Sequence, residues 1–279
     1  MTQTQKALRL RELHRLEGPL ILINAWDAAS ARIVEQAGYP AVASSSAGVA
    51  FALGYADGQR VPWLEMVAAI RRIADAVQVP VSADIEAGFA PDLPQLEAAI
   101  EQVIGAGAVG VNFEDALPHQ GERGPLYPLP EQLARIQAVR KTGDRLGVPV
   151  VINARTDAYW QKGVDREQAL QNTVQRGQAY LQAGADCIFV PGLREAREIG
   201  VVMEQLRGPV NILASAGAPS IHELRDLGVK RISMGSGPMR AAMGLLQRIA
   251  EEAKTTGTYK AMLEGAVPYS EMNEMFGNK

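Results

Sequence analysis

One pattern recurs along the whole chain and limits what it can fold into. A short β-branched run is followed by a polar or Gly-bearing turn and then by a longer stretch of helical period. The runs are LILIN (20–24), AVASS (41–45), VPVSAD (79–84), VGVNFE (109–114), PVVINAR (149–155), CIFVPG (187–192), VNILAS (210–215) and RISMGS (231–236). Between them, stretches such as WLEMVAAIRRIADAV (63–77) and LPQLEAAIEQVIGAG (93–107) set apolar residues three and four apart, the spacing of one helix face. Gly38, Gly107, Gly147, Gly184 and Gly228 stand where a helix would hand over to the next strand, a place for the residue that adopts positive φ without steric cost. Eight such units in 279 residues predict a (β/α)8 barrel, whose usual size is ~250 residues. A doubly wound open sheet is the alternative, but NAWDAAS after the first run has no G-x-G-x-x-G. No linker or compositional break divides residues 1–279, so a single barrel domain is expected, with a helical extension over about 250–279.

Composition narrows the partners. Apolar residues make up 47% and charged residues 21%, enough apolar side chains for a large core. Net charge is −3, and no basic run or basic–aromatic stripe occurs, which argues against nucleic acid and anionic membrane. The first residues, MTQTQKALRLRELH, lack the apolar core of a signal peptide, and no apolar run is long enough to span a bilayer. A cytoplasmic protein is expected. Cys187 is the only cysteine, and His14, His119 and His222 are scattered, which leaves no set of thiolates and imidazoles for zinc.

Barrel enzymes build their sites at the C-terminal ends of the strands. Those ends carry Asn24, Trp26 and Asp27; Ser44, Ser45 and Ser46; Asp84 and Glu86; Glu114 and Asp115; Arg155 and Asp157; Pro191; Ser215; and Gly235 with Ser236. Asp27 and Asp157, taken singly, read as helix caps or loop charges. Several carboxylates converging on one rim raise one another's pKa and destabilise a fold; a divalent cation resolves that repulsion. Oxygen donors without His or Cys select Mg²⁺ or Mn²⁺, and few carboxylates with retained waters suit Mg²⁺. Asp84 and Glu86 are expected to help hold it. Lys6, Lys141, Lys162, Lys230, Lys254, Lys260 and Lys279 all lie away from strand ends, which disfavours Schiff-base chemistry. Cys187 reads as a core filler, Trp26 and Tyr159 as packing residues, and His222 as a surface or helix-packing residue.

The block from NAWDAASARIVEQAGYPAVASSSAGVAFALGYADG through VPVSADIEAGF and VGVNFEDA to VINARTDAY resembles the isocitrate lyase/phosphoenolpyruvate mutase superfamily, over roughly residues 18–245. The resemblance implies an Mg²⁺ enzyme that binds a small 2-oxo acid or its enolate and works on the adjacent C–C or C–P bond. It implies Asp84 in direct contact with the metal, and Asp57, Glu86 and Glu114 holding it through water. Arg155 would lie beside the enolate oxygen, while Ser45, Ser46 and Ala47 would grip the substrate carboxylate. It also implies a homotetramer, a dimer of dimers that exchange the last barrel helix.

Two signatures of the resembled family are missing. The C–C lyases carry a Lys-Arg-Cys-Gly-His lid after the fourth strand; here that segment is EDALPHQGERGPLYPL (114–129), with His119, Glu122 and Arg123 as its candidate polar groups. The phosphonate enzymes carry a lid Lys where Gln120 or a neighbour stands, a His where Pro191 stands, and a Trp where Ala43 stands. The expected activity is a lyase or decarboxylase on an oxaloacetate-, methylisocitrate- or malate-like acid with a pyruvate-like product. Arg155, Glu114 and His119 are its candidate catalytic groups. C–P phosphonomutase or phosphonopyruvate hydrolase chemistry is one alternative, and a non-catalytic 2-oxo acid binding protein is another. A sugar-phosphate enzyme, read from SMGSGPMRA (233–241), is a further one, against which the acidic rim would repel phosphate.

Overall fold

Strands form at all eight β-branched runs, and the first of them is broken. The structure, a computed structural model, describes residues 1–118 and 124–277. In chain order the strands are β1 (Leu20–Leu22), β2 (Asn24–Ala25), β3 (Val42–Ser44), β4 (Val81–Asp84) and β5 (Gly110–Glu114), then β6 (Val151–Arg155), β7 (Cys187–Phe189), β8 (Val210–Leu213) and β9 (Arg231–Ser233). Every neighbouring pair is parallel, in the order β1-β9-β8-β7-β6-β5-β4-β3-β2. β1 pairs with β9 and β2 pairs with β3, on either side of Ile23. The two ends of the sheet are therefore the two halves of one strand, and the sheet is a near-closed barrel, as the eightfold repeat predicts.

Helices follow the strands: α2 (Ala28–Gln36), α3 (Ser46–Leu53), α4 (Trp63–Ala76), α5 (Leu93–Gly105), α6 (Leu129–Arg145), α7 (Arg166–Gln182), α8 (Ala196–Leu206) and α9 (Ile221–Asp226). The five hand-over glycines all have positive φ, between 69° and 110°. Asp27 caps α2, its carboxylate accepting from Ser30 N, which bears out that reading. Cys187 is fully buried in β7, as a core filler should be. His222 is exposed on α9.

An N-terminal helix, α1 (Gln3–Leu13), lies ahead of the barrel and opens with a Thr2–Gln5 capping box. Its side chains reach residues that lead into the strands: Gln3 to the carbonyls of Ile104 and Ala108, Arg11 to Pro149 O and Asp186. These are N-terminal strand ends, so α1 closes the floor of the barrel. Leu10, fully buried, reaches to where a side chain at Gly110 would collide with it at 2.7 Å.

The chain divides into two compact units, Met1–Ser236 and Gly237–Lys279. The second contains α10 (Gly237–Thr255), α11 (Lys260–Leu263) and α12 (Tyr269–Phe276). Within it, Glu252 accepts from the backbone N–H groups of Lys260 and Ala261 and so ties the turn after α10 to that helix.

Candidate active site

Side chains alternate along a strand, and one parity of these strands is polar. Ser82 and Asp84 on β4, Asn112 on β5, Asn153 and Arg155 on β6, Asn211 on β8, and Arg231 and Ser233 on β9 line one cavity of about 140 Å³. Asn24, the turn Ser45–Ser46–Ala47, Asp57, Trp160 and Phe189 complete much of its wall. The barrel thus has a hydrogen-bonded centre at the level where an apolar barrel would be filled by Val, Ile and Leu.

Asp84, at the end of β4, is held on both oxygens. Its Oδ1 accepts from Asn112 Nδ2 at 2.8 Å, and its Oδ2 accepts from Ser46 N at 2.9 Å and Ser46 Oγ at 2.8 Å. Ser46 opens α3, and Ser45 caps that helix by accepting from Gly48 N. The segment after the second barrel strand is therefore a helix N-terminus, whose first N–H groups and dipole favour an anion. Two of its donors are already engaged by Asp84.

The backbone turns sharply after Asp84. Glu86 and Phe89 lie at φ 49° and 53°, a region uncommon for residues with a side chain. Gln59 braces the turn: its N–H donates to Glu86 Oε2, and its Oε1 accepts from Phe89 N, both at 2.8 Å. From the other side, Arg135 donates to the carbonyls of Ala87 and Ala90. Burial pushes the Glu86 carboxyl up to about 8, and the neighbouring Asp57 and Asp84 charges push the same way.

Arg155 ends β6. Its Nε and Nη2 hold both oxygens of Asp157, at 2.6 and 2.8 Å, and its Nη1 is 2.8 Å from Glu114 Oε2. Trp160 lies under the guanidinium with its ring centroid at 4.9 Å, in the range of a cation–π contact. Gly192 leaves room for that ring, since a side chain there would meet Trp160 Nε1 at 2.7 Å. Burial pushes the Glu114 carboxyl well above its ordinary value, with Arg155 opposing and the Asp157, Glu86 and Asp84 charges reinforcing. Asp157 does not cap the short 3₁₀ helix Ala158–Trp160; the fork geometry of the guanidinium claims it instead. Behind it, fully buried Asp115 accepts from Asp157 N at 2.9 Å and from Tyr180 Oη at 2.6 Å, with Arg176 at 3.3 Å. Asp115 thus anchors the backbone that aims Asp157 at Arg155.

Of the predicted residues, Asp84, Asp57, Arg155, Ser45, Ser46 and Ala47 all face the cavity. Glu86 and Glu114 stand behind it, electrostatically linked to Asp84. His119 lies outside the described residues, as do Gln120, Glu122 and Arg123. The base of their connection is held: Ala116 and Leu126 bridge antiparallel, and Leu117 N donates to Pro125 O. Among the described residues no three His, Cys, Asp or Glu side chains converge as direct ligands of one ion. An oxygen-only set with one carboxylate at its centre and other acids at a remove still fits a hydrated Mg²⁺, which keeps several waters. Burial is the main reason Glu86 and Glu114 are raised, and the neighbouring acids Asp57, Asp84 and Asp157 add to it.

The sequence reading passed over Trp160, Asn112, Asn153, Asn211 and Arg231. Asn112 and Asn153 carried a signal, a polar residue two before the strand-end acid or base in VNFE and INAR; Asn211, in VNIL, carried none. Tyr159 packs against the core and donates to Glu198 Oε2, and Trp26 packs there too, as expected of both.

Fold and site together define a parallel α/β barrel whose polar cavity, lined by Asp57, Asp84, Arg155 and Arg231 among serines and asparagines, reaches the C-terminal ends of its strands. The family model described as phosphoenolpyruvate phosphomutase matches residues 10–254. The chain belongs to the isocitrate lyase/phosphoenolpyruvate mutase superfamily. It is 31% identical to an uncharacterized protein of Mycobacterium tuberculosis over 95% of each chain. It is 28% identical to the 2-methylisocitrate lyase of Halalkalibacterium halodurans, over 98% of this chain and 90% of that one. A solved structure from Burkholderia cenocepacia J2315 superposes with a TM-score of 0.90 at 36% identity, over 98% of this chain and 96% of that one. The superfamily's named relatives here are lyases and mutases.

Proposed function

We propose that this chain is an Mg²⁺-dependent (or Mn²⁺-dependent) enzyme that binds a small 2-oxo or 2-hydroxy acid and cleaves the adjacent C–C bond, as a lyase or decarboxylase with a pyruvate-like product. The observation that carries the reading is the meeting of Asp84, the N-terminus of α3 and Arg155 around one small cavity. Asp84 would hold the metal directly, with Asp57, Glu86 and Glu114 ordering its waters. The bound ion would supply Lewis-acid stabilisation of negative charge developing on the 2-oxo oxygen.

The chain's own groups supply the rest. Ser45, Ser46 and Ala47, at the N-terminus of α3, present backbone and hydroxyl groups to the substrate carboxylate. Arg155 is fixed before substrate arrives, by Asp157, Glu114 and Trp160, so no reorganisation is needed as charge develops beside it. Glu114, paired with Nη1, helps fix where that guanidinium points. The connection carrying His119 is the candidate proton source, because no Lys, His or Cys lines the cavity among the described residues. A small cavity with few donors selects small acids such as oxaloacetate, methylisocitrate or malate relatives.

Calorimetric titration of oxalate, which mimics the pyruvate enolate, tests the reading. Binding is expected with Mg²⁺, and is expected to be lost with EDTA and in Asp84→Ala. Absence of binding under all three conditions would remove the proposal. A turnover panel of oxaloacetate, methylisocitrate and phosphonopyruvate then separates C–C from C–P chemistry, the latter kept in view by the family model's description.

A further inference from the structure

The floor of the cavity holds a cation with too few partners. Arg231, at the start of β9, is 1% exposed and lines the cavity from below. A guanidinium has five N–H donors and no acceptor. Its Nη2 reaches Ser82 Oγ only at 3.4 Å, its Nη1 stands 3.5 Å from His14 Nε2, and its Nε has no partner. His14 cannot neutralise it. The His14 Nδ1–H donates to Leu10 O at 2.8 Å, which leaves Nε2 as a neutral acceptor, and burial together with Arg231 pushes that imidazole down to about 4. Among the described residues no carboxylate forms an ion pair with Arg231, whereas Arg155, on the same cavity, has two. Burial lowers Arg231 to about 10, still charged at neutral pH.

A second orphan lies beside it. Asn211, whose backbone pairs with Arg231 across β8 and β9, is fully buried. Its Oδ1 accepts from Ser233 Oγ, and its Nδ2 has no partner. Two unpaired donors, one of them charged, thus sit on the wall of one polar cavity. The remaining unpaired polar atom on that wall, Asn153 Oδ1, is an acceptor suited to a water or a hydroxyl. Asp84 acts on Arg231 through space but forms no ion pair with it and spends its oxygens on Ser46 and Asn112. A buried charge without a direct partner is costly, and water alone supplies no countercharge.

We infer that Arg231 and Asn211 form an anion subsite at the floor of the cavity, below Asp84, sized for a carboxylate or another small monoanion. The anion is either the second carboxylate of a dicarboxylate ligand or a resident inorganic ion such as chloride. In the first case the subsite rests on the 2-oxo acid reading and assigns to Arg231 and Asn211 the second carboxylate that oxaloacetate- or malate-like acids carry; in the second it stands without it.

Formate, the smallest carboxylate, is the probe, with thermal unfolding followed at constant ionic strength. Wild type and Asp84→Ala are expected to gain stability with formate in a saturable way. Arg231→Met is expected to lose that response by at least tenfold in midpoint concentration while keeping Mg²⁺-dependent oxalate binding. Asn211→Leu serves if Arg231→Met does not fold, and an anomalous bromide peak beside Arg231 Nε in wild-type crystals needs no variant. With Mg²⁺ present, succinate displacing formate at concentrations where acetate does not identifies the ligand's second carboxylate. A formate response suppressed by chloride and indifferent to succinate identifies a resident ion. A response equal in wild type and Arg231→Met, or no response with no bromide peak, overturns the subsite. Loss of oxalate binding in Asp84→Ala is read separately and bears only on the metal reading.

Discussion

Glu86 shows how much one residue can be asked to hold. It sits in left-handed backbone, is 5% exposed, and faces two further acids. Folding raises its carboxyl from the ordinary 4.5 to about 8, so the folded chain keeps a proton that the unfolded chain releases between those values. Stability from this group is complete below about pH 4.5 and is lost as pH rises through about 8, with a slope of at most about 1.4 kcal/mol per pH unit. Without Mg²⁺, the unfolding temperature is therefore predicted to fall between about pH 6.5 and pH 8, above the range in which His14, held neutral by burial, adds stability with rising pH. Glu86→Gln should flatten that fall and be the more stable form at pH 8, while weakening Mg²⁺-dependent oxalate binding. Added Mg²⁺ should flatten the wild-type curve by favouring the carboxylate. The slope that remains in the variant belongs to Glu114 and Asp115, which burial also pushes up, and below about pH 6.5 to His14, which burial pushes down and which acts with the opposite sign. An unchanged slope in Glu86→Gln would refute the assignment.

Among the elements, α1 has the least sequence signal for its role and a large structural one. Its capping box and its Leu10, Ala7 and Leu13 face are ordinary helix features; nothing local says that it closes a barrel. Yet Leu10 lies against Gly110 at the start of β5, and His14, just beyond the helix, faces Arg231. Leu10→Ala is predicted to cost about 2–5 kcal/mol, the range for emptying a buried Leu site, measurable by urea unfolding. A cost below about 1 kcal/mol would mean that α1 is loosely held. The strand elements behaved differently: all eight were legible because β-branched runs and hand-over glycines are local signals. The break at Ile23 was not, since it follows from β1 pairing with the last strand while β2 pairs with the second.

At the scale of the molecule, the unit Gly237–Lys279 has Leu246, Leu263 and Tyr269 exposed at 56%, 62% and 84%. They lie one each on α10, α11 and α12, and large apolar side chains this exposed are what a partner copy would cover. A homotetramer with exchanged last helices remains our proposal for what covers them. Sedimentation velocity at micromolar concentration is predicted to show a tetramer, and Leu263→Glu to shift it toward smaller species. A wild-type monomer would refute this.

Local chemistry decided the number and order of the strands, the helices between them and the acids at the strand ends, because period, propensity and capping act within a few residues. The resemblance then proposed roles for Asp84, Arg155 and their companions, which the fold brought to one cavity. What those residues do with one another was decided only by the tertiary structure. Asp157 reads as a cap in sequence and is a clamp on Arg155 in space. Ser46 reads as a substrate ligand and is already bonded to Asp84. Arg231 reads as the first residue of a strand and is a buried cation, facing Ser82 149 residues away and His14 217 residues away. Charge balance inside a barrel is summed over side chains from every strand, and no window of sequence contains that sum.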